Sequence, residues 1–139
     1  MIEFFVAGIP KPGGSKKGFF NKKTGRVVVV DACEKNKEWR SVVSLFAYMA
    51  YKGEPLHGPV ALSILFTMPR PKHHYNSKGV LKESAPKYHT SAPDTTKLLR
   101  SAEDSLKGII WKDDCQVAYQ VAWKLYGENP GAKIQVREL

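Results

Sequence analysis

The feature that most constrains the fold is a largely apolar run of nine residues, Val60–Met68. The turn-forming sequence His57-Gly58-Pro59 precedes this run and Pro69 follows it. Its length is therefore that of a strand, well short of the ~20 residues that a membrane span needs. Because polar residues are too few to alternate with the apolar ones, we expect a central strand that is buried on both faces.

Two segments of helical periodicity and several strand-like segments surround this run. One helix is predicted over about 34–52, and a second over about 94–107, where Gly108 ends it. Strand patterns cover residues 2–8, 19–20, 26–30, 109–112, 117–126 and 132–138. The order of these elements within 139 residues predicts one α+β domain, 1–139, in which a mixed sheet packs against two helices.

Positive charge is concentrated in segments that are predicted to be loops. The chain has 22 Lys and Arg against 13 Asp and Glu, a formal net charge of +9. Residues 1–30 carry six of these basic residues against Glu3 alone, and the proline-rich segment 69–93 is also basic. This distribution favours nucleic acid as the partner. The residues expected to contact phosphates in these segments are Lys16, Lys17, Lys22, Lys23 and Lys72.

The segment 69–93 has little periodicity and is predicted to be a basic, flexible loop. A loop of this length inside a compact domain is unusual, and such loops often carry function or are disordered. An arm that becomes ordered on DNA and an insertion without function are both compatible with this composition.

The sequence also predicts a protein of the cytoplasm with no membrane segment. Its N-terminal residues are apolar almost from the start and lack the basic region and cleavage site of a secretion signal. Two cysteines are too few for a disulfide framework or a zinc site, which suits a reducing compartment.

Acidic residues are grouped at two points of this basic chain, Asp94 and the pair Asp113-Asp114. Adjacent carboxylates repel each other unless they share a cation, and Mg²⁺ prefers oxygen ligands. If the chain doubles back along the second helix after Gly108, an extended segment of at most about 20 Å brings the pair beside Asp94. We therefore predict that Asp94, Asp113 and Asp114 bind Mg²⁺, for which Mn²⁺ would be a substitute.

Two basic residues follow Asp94 on the same predicted helix. Lys97 and Arg100 lie three and six residues after it, and with Ser101 they are expected near the polar face. A cation beside the metal would stabilise the charge that develops on a phosphate during attack. Arg100 is therefore predicted to be catalytic together with Asp94 and Asp114, and Lys97 to contact DNA.

These residues resemble the motif of the RusA family of Holliday-junction resolvases, the crossover junction endodeoxyribonucleases. That motif reads P-D-x-D-N-L, a basic residue, D-A-L, a glycine and D-D-x-Q. The matching residues here are Pro93-Asp94-Thr95-Thr96-Lys97-Leu98, Arg100, Asp104-Ser105-Leu106, Gly108 and Asp113-Asp114-Cys115-Gln116. The resemblance implies a RusA-like endonuclease domain, a homodimer, and four-way DNA junctions as the substrate. It also implies symmetric, paired, Mg²⁺-dependent cuts in DNA recombination and repair.

One departure from the family pattern concerns Thr96, which stands where the family has its second catalytic aspartate. A hydroxyl is a weaker ligand for Mg²⁺ than a carboxylate. Three outcomes are open, in order of preference. Asp113 supplies the missing oxygen, the enzyme works with fewer protein ligands, or the protein binds branched DNA and cleaves it poorly.

A different class of function remains as an alternative, that of an RNA- or ribosome-associated basic protein. It explains the net charge of the chain but leaves Asp94 and the pair Asp113-Asp114 unexplained.

Overall fold

The computed structural model describes residues 1–13, 16–31 and 36–139, and within 16–35 it describes side chains only for residues 22–26. The elements in chain order are β1 (Ile2–Ala7), β2 (Lys16–Asn21), β3 (Arg26–Asp31), α1 (Asn36–Ala50), β4 (Val60–Met68), α2 (Thr95–Leu106), β5 (Val117–Tyr126) and β6 (Gly131–Glu138). Two 3₁₀ turns lie at Lys72–His74 and Asp114–Gln116. The predicted start of the first helix, at residues 34–35, lies outside the described residues.

Four of the strands form one mixed sheet in the order β1-β6-β4-β5. β4 runs parallel to β5 and antiparallel to β6, and β6 also pairs antiparallel with β1. β2 and β3 form a separate antiparallel hairpin, whose turn contains Lys22 and Lys23. The predicted α+β fold, a mixed sheet packed against two helices, is confirmed.

β4 lies inside the sheet, and its two faces have different surroundings. Alternate residues from Val60 to Met68 point toward the helices and are buried. Ser63, Leu65 and Thr67 point to the other side and are half-buried. The predicted central position is therefore confirmed, whereas burial on both faces is wrong for a single chain, because the helices pack on one side of the sheet.

α1 and α2 cover the sheet and contact each other through small polar side chains. Ser101 is fully buried, and its hydroxyl donates to Asn36 Oδ1 at 2.6 Å. The expectation that Ser101 lies near the polar face of the second helix is wrong, because α1 packs against this side of α2 and Asn36 satisfies the hydroxyl. Among the described residues, no helix combines the length and the apolar character that a membrane crossing requires.

The residues after α2 form a tight turn, although their sequence predicts a strand over 109–112. Gly108 has a φ of +81°, and its N–H donates to the carbonyl oxygen of Trp111 at 2.7 Å. Ile110 and Trp111 are fully buried. The predicted strand is wrong because the apolar residues anchor a turn, which the left-handed backbone of glycine allows at the end of the helix.

The segment 69–93 has local structure that its sequence does not predict. Asn76 Oδ1 accepts hydrogen bonds from the N–H groups of Lys78 and Val80. His74 and His89 are buried, and each ring lies 4.8 Å from the ring of Tyr126, between centroids. The ordering of the segment 69–93 on DNA stays a prediction.

Candidate active site and DNA-contacting surface

Asp94 occupies the N-cap position of α2, where the segment 69–93 leads into the helix. Its side chain is exposed and makes no capping hydrogen bond, and its Oδ2 lies 3.8 Å from Lys97 Nζ. Thr96 and Arg100 are also exposed on this helix. Because an exposed ion pair contributes little free energy, the Asp94 carboxylate can exchange Lys97 for another ligand.

Lys124 on β5 fixes the backbone that precedes Asp94, and sequence reasoning missed this residue. Its Nζ donates to the carbonyl oxygens of Ser91 and Pro93 at 2.9 and 2.8 Å. Burial lowers the pKa of Lys124, while the negative charge of Asp94 raises it. A single lysine within the otherwise uncharged strand is the signal that points to such a role.

Asp113 and Gln116 form a capping box around the 3₁₀ turn that follows α2. Asp113 Oδ1 accepts from the N–H of Cys115, and Gln116 Oε1 accepts from the N–H of Asp113. The hydrogen bond from Cys115 and the charge of Lys107 hold the pKa of Asp113 below its usual value. The side-chain amide of Gln116 donates to the carbonyl oxygens of Leu56 and Gly58. The D-D-x-Q motif therefore ties this turn to the segment that leads into β4.

A hydrogen bond from a buried side chain orients the carboxylate of Asp114. Trp111 Nε1 donates to Asp114 Oδ1 at 2.8 Å, and the Trp111 side chain is fully buried. Asp114 itself is half-buried at the surface of the molecule. A fixed, accessible carboxylate of this kind is suited to binding a hard cation.

Glu103 joins this end of α2, and sequence reasoning missed it. Its side chain is half-buried, and its pKa is raised to about 6, first by burial and then by the negative charges of Asp114 and Asp104. Its position nine residues after Asp94 removes it from the helix start, where the sequence placed the metal. Glu103 lies one helical turn before Lys107, at the end of the helix where Asp113 and Asp114 follow. This spacing is the sequence signal that could have placed Glu103 beside the pair.

Replacing Glu103 with Gln should raise the free energy of unfolding by about 1 kcal/mol at pH 7 in EDTA. This value is smaller than the pKa shift alone would give, because the side chain is partly exposed to solvent. Because folding raises the pKa of this carboxyl from 4.5 to about 6, its ionisation destabilises the fold as the pH rises through that window. Urea unfolding at pH 4.5 and pH 7 measures this. The two proteins should have similar stabilities at the lower pH, and equal stabilities at both pH values would contradict the effect.

Asp94 and the pair Asp113-Asp114 lie at opposite ends of α2 in one chain. The helix has 12 residues, so its axis is about 18 Å long. Asp113 Oδ2 lies 3.9 Å from Lys107 Nζ, at the C-cap. The expectation that the chain doubles back to bring the pair beside Asp94 is wrong for a single chain, because the turn at Gly108 keeps the pair at the helix C-terminus.

The single chain consequently does not assemble the predicted magnesium site. Within the ranges that the structure describes, no three His, Cys, Asp or Glu side chains are close enough together to hold a metal ion. The described acidic residues of a single chain therefore do not form a complete Mg²⁺ site. Their role as metal ligands stays a prediction.

The N-terminal segment after β1 packs against the middle of α2. The N–H of Gly13 donates to the carbonyl oxygen of Lys97 at 2.6 Å. A Cβ atom at Gly13 would lie 3.1 Å from Ser101 N and 3.2 Å from Lys97 O. The close approach therefore leaves little room for a side chain at this position, and it holds the segment near the polar side chains of α2.

Replacing Gly13 with Ala should lower the free energy of unfolding by about 1–3 kcal/mol, as overpacking does in other proteins. The new methyl group would meet helix backbone, which cannot move aside as a flexible side chain can. Urea unfolding of this variant measures the cost. Gly58→Ala is the matched control, since a Cβ atom there meets no atom within 4 Å, and equal costs at the two positions would contradict the packing.

The predicted phosphate contacts lie on several parts of the chain. Lys22, Lys23 and Lys72 have exposed side chains, the first two at the tip of the β2–β3 hairpin. The backbone of Lys16 and Lys17 belongs to β2, but their side chains lie outside the described residues. Lys97 is beside Asp94 on α2. The contacts of these residues with DNA stay predictions.

Comparisons with known proteins give a family model and a curated relative. The family model described as "Endodeoxyribonuclease RusA" matches residues 10–137. The chain is 32% identical over 141 residues to the "Uncharacterized protein YqaN" of Bacillus subtilis (strain 168), with 99% of this chain and 96% of that protein covered.

Proposed function

The chain belongs to the RusA family of endodeoxyribonucleases, and on this basis we propose that it resolves Holliday junctions. In this proposal, residues 1–139 act as one nuclease domain that works as a homodimer in the cytoplasm. It makes symmetric paired cuts in four-way junctions during DNA recombination and repair. Mg²⁺ is the proposed metal, with Mn²⁺ as a substitute, in keeping with the general divalent-metal dependence of RusA resolvases.

The observation that carries the proposal is the Asp114 carboxylate, which a buried tryptophan orients at the surface of a strongly basic protein. The family's first catalytic aspartate corresponds to Asp94, which is exposed. We assign both residues as metal ligands. Asp113 is the third proposed ligand, through the carboxylate oxygen that accepts no hydrogen bond in the capping box. Arg100 is assigned to the scissile phosphate and Lys97 to the DNA backbone, because each is a cation on the helix that begins at Asp94.

The runner-up is a branched-DNA-binding module that cleaves weakly or not at all. The exposed Thr96, in the place of the family's second aspartate, favours it, as does the ion pair that Lys97 makes with Asp94. Thr96→Asp should increase the cleavage rate by about tenfold or more if a missing carboxylate limits activity. A wild-type protein that binds junctions tightly without cutting them would make the binding module the better account.

Cleavage of a synthetic four-way junction, compared with a linear duplex of matched sequence, tests the proposal. We expect cuts in the junction with Mg²⁺, no cuts with EDTA, and little cleavage of the duplex. Equal cleavage of both substrates would contradict junction selectivity. A preference for structured RNA in competition would instead favour the RNA-associated alternative.

Replacing both Lys22 and Lys23 with Ala should weaken junction binding and reduce the slope of log K against log salt by about 2. Each lysine is expected to neutralise a phosphate and release a counterion, without reading a base. Binding titrations at several salt concentrations measure the slope. An unchanged slope would remove the hairpin tip from the DNA-contacting surface. A double replacement of Lys37 and Lys52, which are exposed on or just after α1, is the charge-matched control.

A further inference from the structure

The sheet has an open face, formed by the alternate residues of β1, β6, β4 and β5 that point away from α1 and α2. Strand pairing sets Phe5 beside Lys133, Lys133 beside Leu65, and Leu65 beside Trp123. Residues that lie opposite each other in neighbouring strands share a face, and Leu65 belongs to the side without helices. One row across the open face therefore carries two aromatic rings with a lysine between them.

Two further aromatic residues lie on the open face, one at each end of β5. Tyr119 comes four residues before Trp123, on the same side of the strand. Tyr88 makes an isolated bridge to Leu125, so its side chain also points to the open face. The two tyrosines and Trp123 thus follow β5 along its length.

Exposed aromatic rings are concentrated on this face. Phe5, Tyr88, Tyr119 and Trp123 are 43%, 58%, 59% and 39% exposed, and they are four of the five exposed aromatic residues in the part of the chain whose side chains are described. The fifth, Tyr48, lies on α1. Single exposed apolar residues are ordinary on a protein surface, whereas a group of them marks a binding surface.

The spacing of the rings leaves each one free to contact a ligand. Tyr119 and Trp123 are separated by about 13 Å along β5, and Phe5 and Trp123 by about 14 Å across three strand spacings. Rings this far apart do not stack on one another. A cavity of about 760 Å³ lies beside Phe5 and Leu125, which leaves room for a planar group at this end of the face.

Cations lie among the rings. Lys133 and Arg137 are exposed on β6, where Arg137 is level with Ala61 of β4 and through it with Tyr119. Lys87 Nζ lies 5.6 Å from the centroid of the Tyr88 ring. The open face can therefore hold an anion close to an aromatic ring.

One carboxylate is present among these cations. All residues of the four strands are described, and they contribute Glu3 alone to the open face. Its side chain lies 3.5 Å from Lys133 Nζ and accepts from the amide of Gln135 at 2.9 Å. Because an exposed ion pair contributes little free energy, Lys133 can exchange Glu3 for a phosphate.

This combination of side chains favours nucleic acid over a protein partner. The core of a protein interface is usually depleted of charge, whereas Lys133 lies at the centre of the open face between Phe5 and Leu65. Separated aromatic rings and cations are the side chains on which unpaired bases stack and to which phosphates bind. In a duplex the bases stack on each other, so the ligand that fits is an unpaired strand.

We propose that the open face binds single-stranded DNA, with bases stacked on Phe5, Tyr88, Tyr119 and Trp123 and with phosphates bound by Lys133 and Arg137. DNA is chosen over RNA because the family is one of endodeoxyribonucleases. The helix α2, with Asp94 and Asp114 at its ends, packs on the other side of the sheet. The open face is thus a second DNA-contacting surface, separate from the proposed active site.

Removing two rings from the face tests the proposal. A fluorescently labelled 12-nucleotide oligothymidylate serves as the probe, a length within the range that such surfaces bind. The double variant Tyr119→Ala/Trp123→Ala should raise the Kd for this strand by about 25-fold or more, since each lost stacking contact weakens binding by about fivefold or more. Fluorescence anisotropy measures the Kd, and circular dichroism checks that the variant folds.

Tyr48→Ala is the matched control, because it removes an equally exposed ring from α1. Its Kd for the oligothymidylate should be that of the wild type. The conservative variant Trp123→Phe keeps a ring on the face and should bind within about threefold of the wild type.

An abasic strand of the same length separates stacking from phosphate binding. It carries the same charge but no bases, so the wild type should bind it at least about tenfold more weakly than oligothymidylate. The double variant should lose most of this preference. Its Kd for a linear duplex should stay unchanged, because duplex DNA offers phosphates but no free bases.

Several results would overturn the proposal. Equal affinity of the wild type for the thymidine and abasic strands would do so, as would a double variant with an unchanged Kd. A double variant that binds the strand normally but sediments with an altered self-association would assign the face to a second copy. Tighter binding of oligouridylate than of oligothymidylate would assign it to RNA.

The proposal stands apart from the nuclease function. Asp114→Asn should bind the oligothymidylate as tightly as the wild type, because Asp114 lies away from the open face. A protein that never cuts junctions but prefers the thymidine strand to the abasic one would contradict the nuclease proposal alone.

Discussion

Asp114→Asn is expected to lower the rate of junction cleavage by at least about 100-fold, the scale on which catalytic electrostatic groups contribute. The substitution removes the negative charge that a cation requires, but keeps an oxygen that can accept the hydrogen bond from Trp111. Junction affinity should therefore change by no more than about twofold, because phosphate contacts supply most of the binding free energy. Single-turnover cleavage and a gel-shift titration measure the two quantities.

Asp104→Asn is the matched control, since this exposed carboxylate lies on the same helix as Asp94 and Glu103 but is assigned no ligand role. Its cleavage rate should stay close to that of the wild type. If Asp114→Asn cleaves as fast as this control, Asp114 does not belong to the active site.

Trp111→Ala is expected to lower the free energy of unfolding by about 3–5 kcal/mol, the usual cost of truncating a buried aromatic side chain. Trp111 is fully buried, and it links the core to the Asp114 carboxylate through a 2.8 Å hydrogen bond. Urea unfolding measures the loss. Tyr48→Ala, which removes a ring that is 60% exposed on α1, should cost far less.

Trp111→Phe separates packing from orientation at the same position. The phenyl ring fills much of the space but cannot donate to Asp114, so the protein should fold and cleave junctions more slowly, by about tenfold. Thermal melting and single-turnover cleavage measure the two effects. A Phe variant with wild-type cleavage would show that the hydrogen bond does not position the carboxylate.

The sequence predicts the strands of this fold better than the turns between them. The apolar pattern predicts Val60–Met68 and Val117–Tyr126, and the structure has strands with these same bounds. Periodicity reveals which residues share a face, and this is enough to define strands and helices. It does not reveal how the chain leaves a helix, so Ile110 and Trp111 were predicted to lie in a strand although they anchor a turn.

The sequence proposes residues for the candidate site but does not predict how they are arranged. The family motif identifies Asp94 and Asp114, whereas their separation depends on the turn at Gly108, whose direction a sequence pattern does not specify. Glu103 and Lys124 were missed because their importance comes from neighbours that are distant in sequence. The sequence predicts β5 as a strand. Its position at the edge of the sheet follows only from the strand order in the structure.

A supercoiled plasmid that extrudes a cruciform tests the central claim most directly, because it distinguishes paired cuts from single nicks. We predict that the protein with Mg²⁺ converts this plasmid to full-length linear DNA and leaves a plasmid without the inverted repeat supercoiled. Nicked circles alone would show cuts that are not paired. Supercoiled DNA that is bound but never cut, or equal cutting of both plasmids, would contradict a Holliday-junction resolvase.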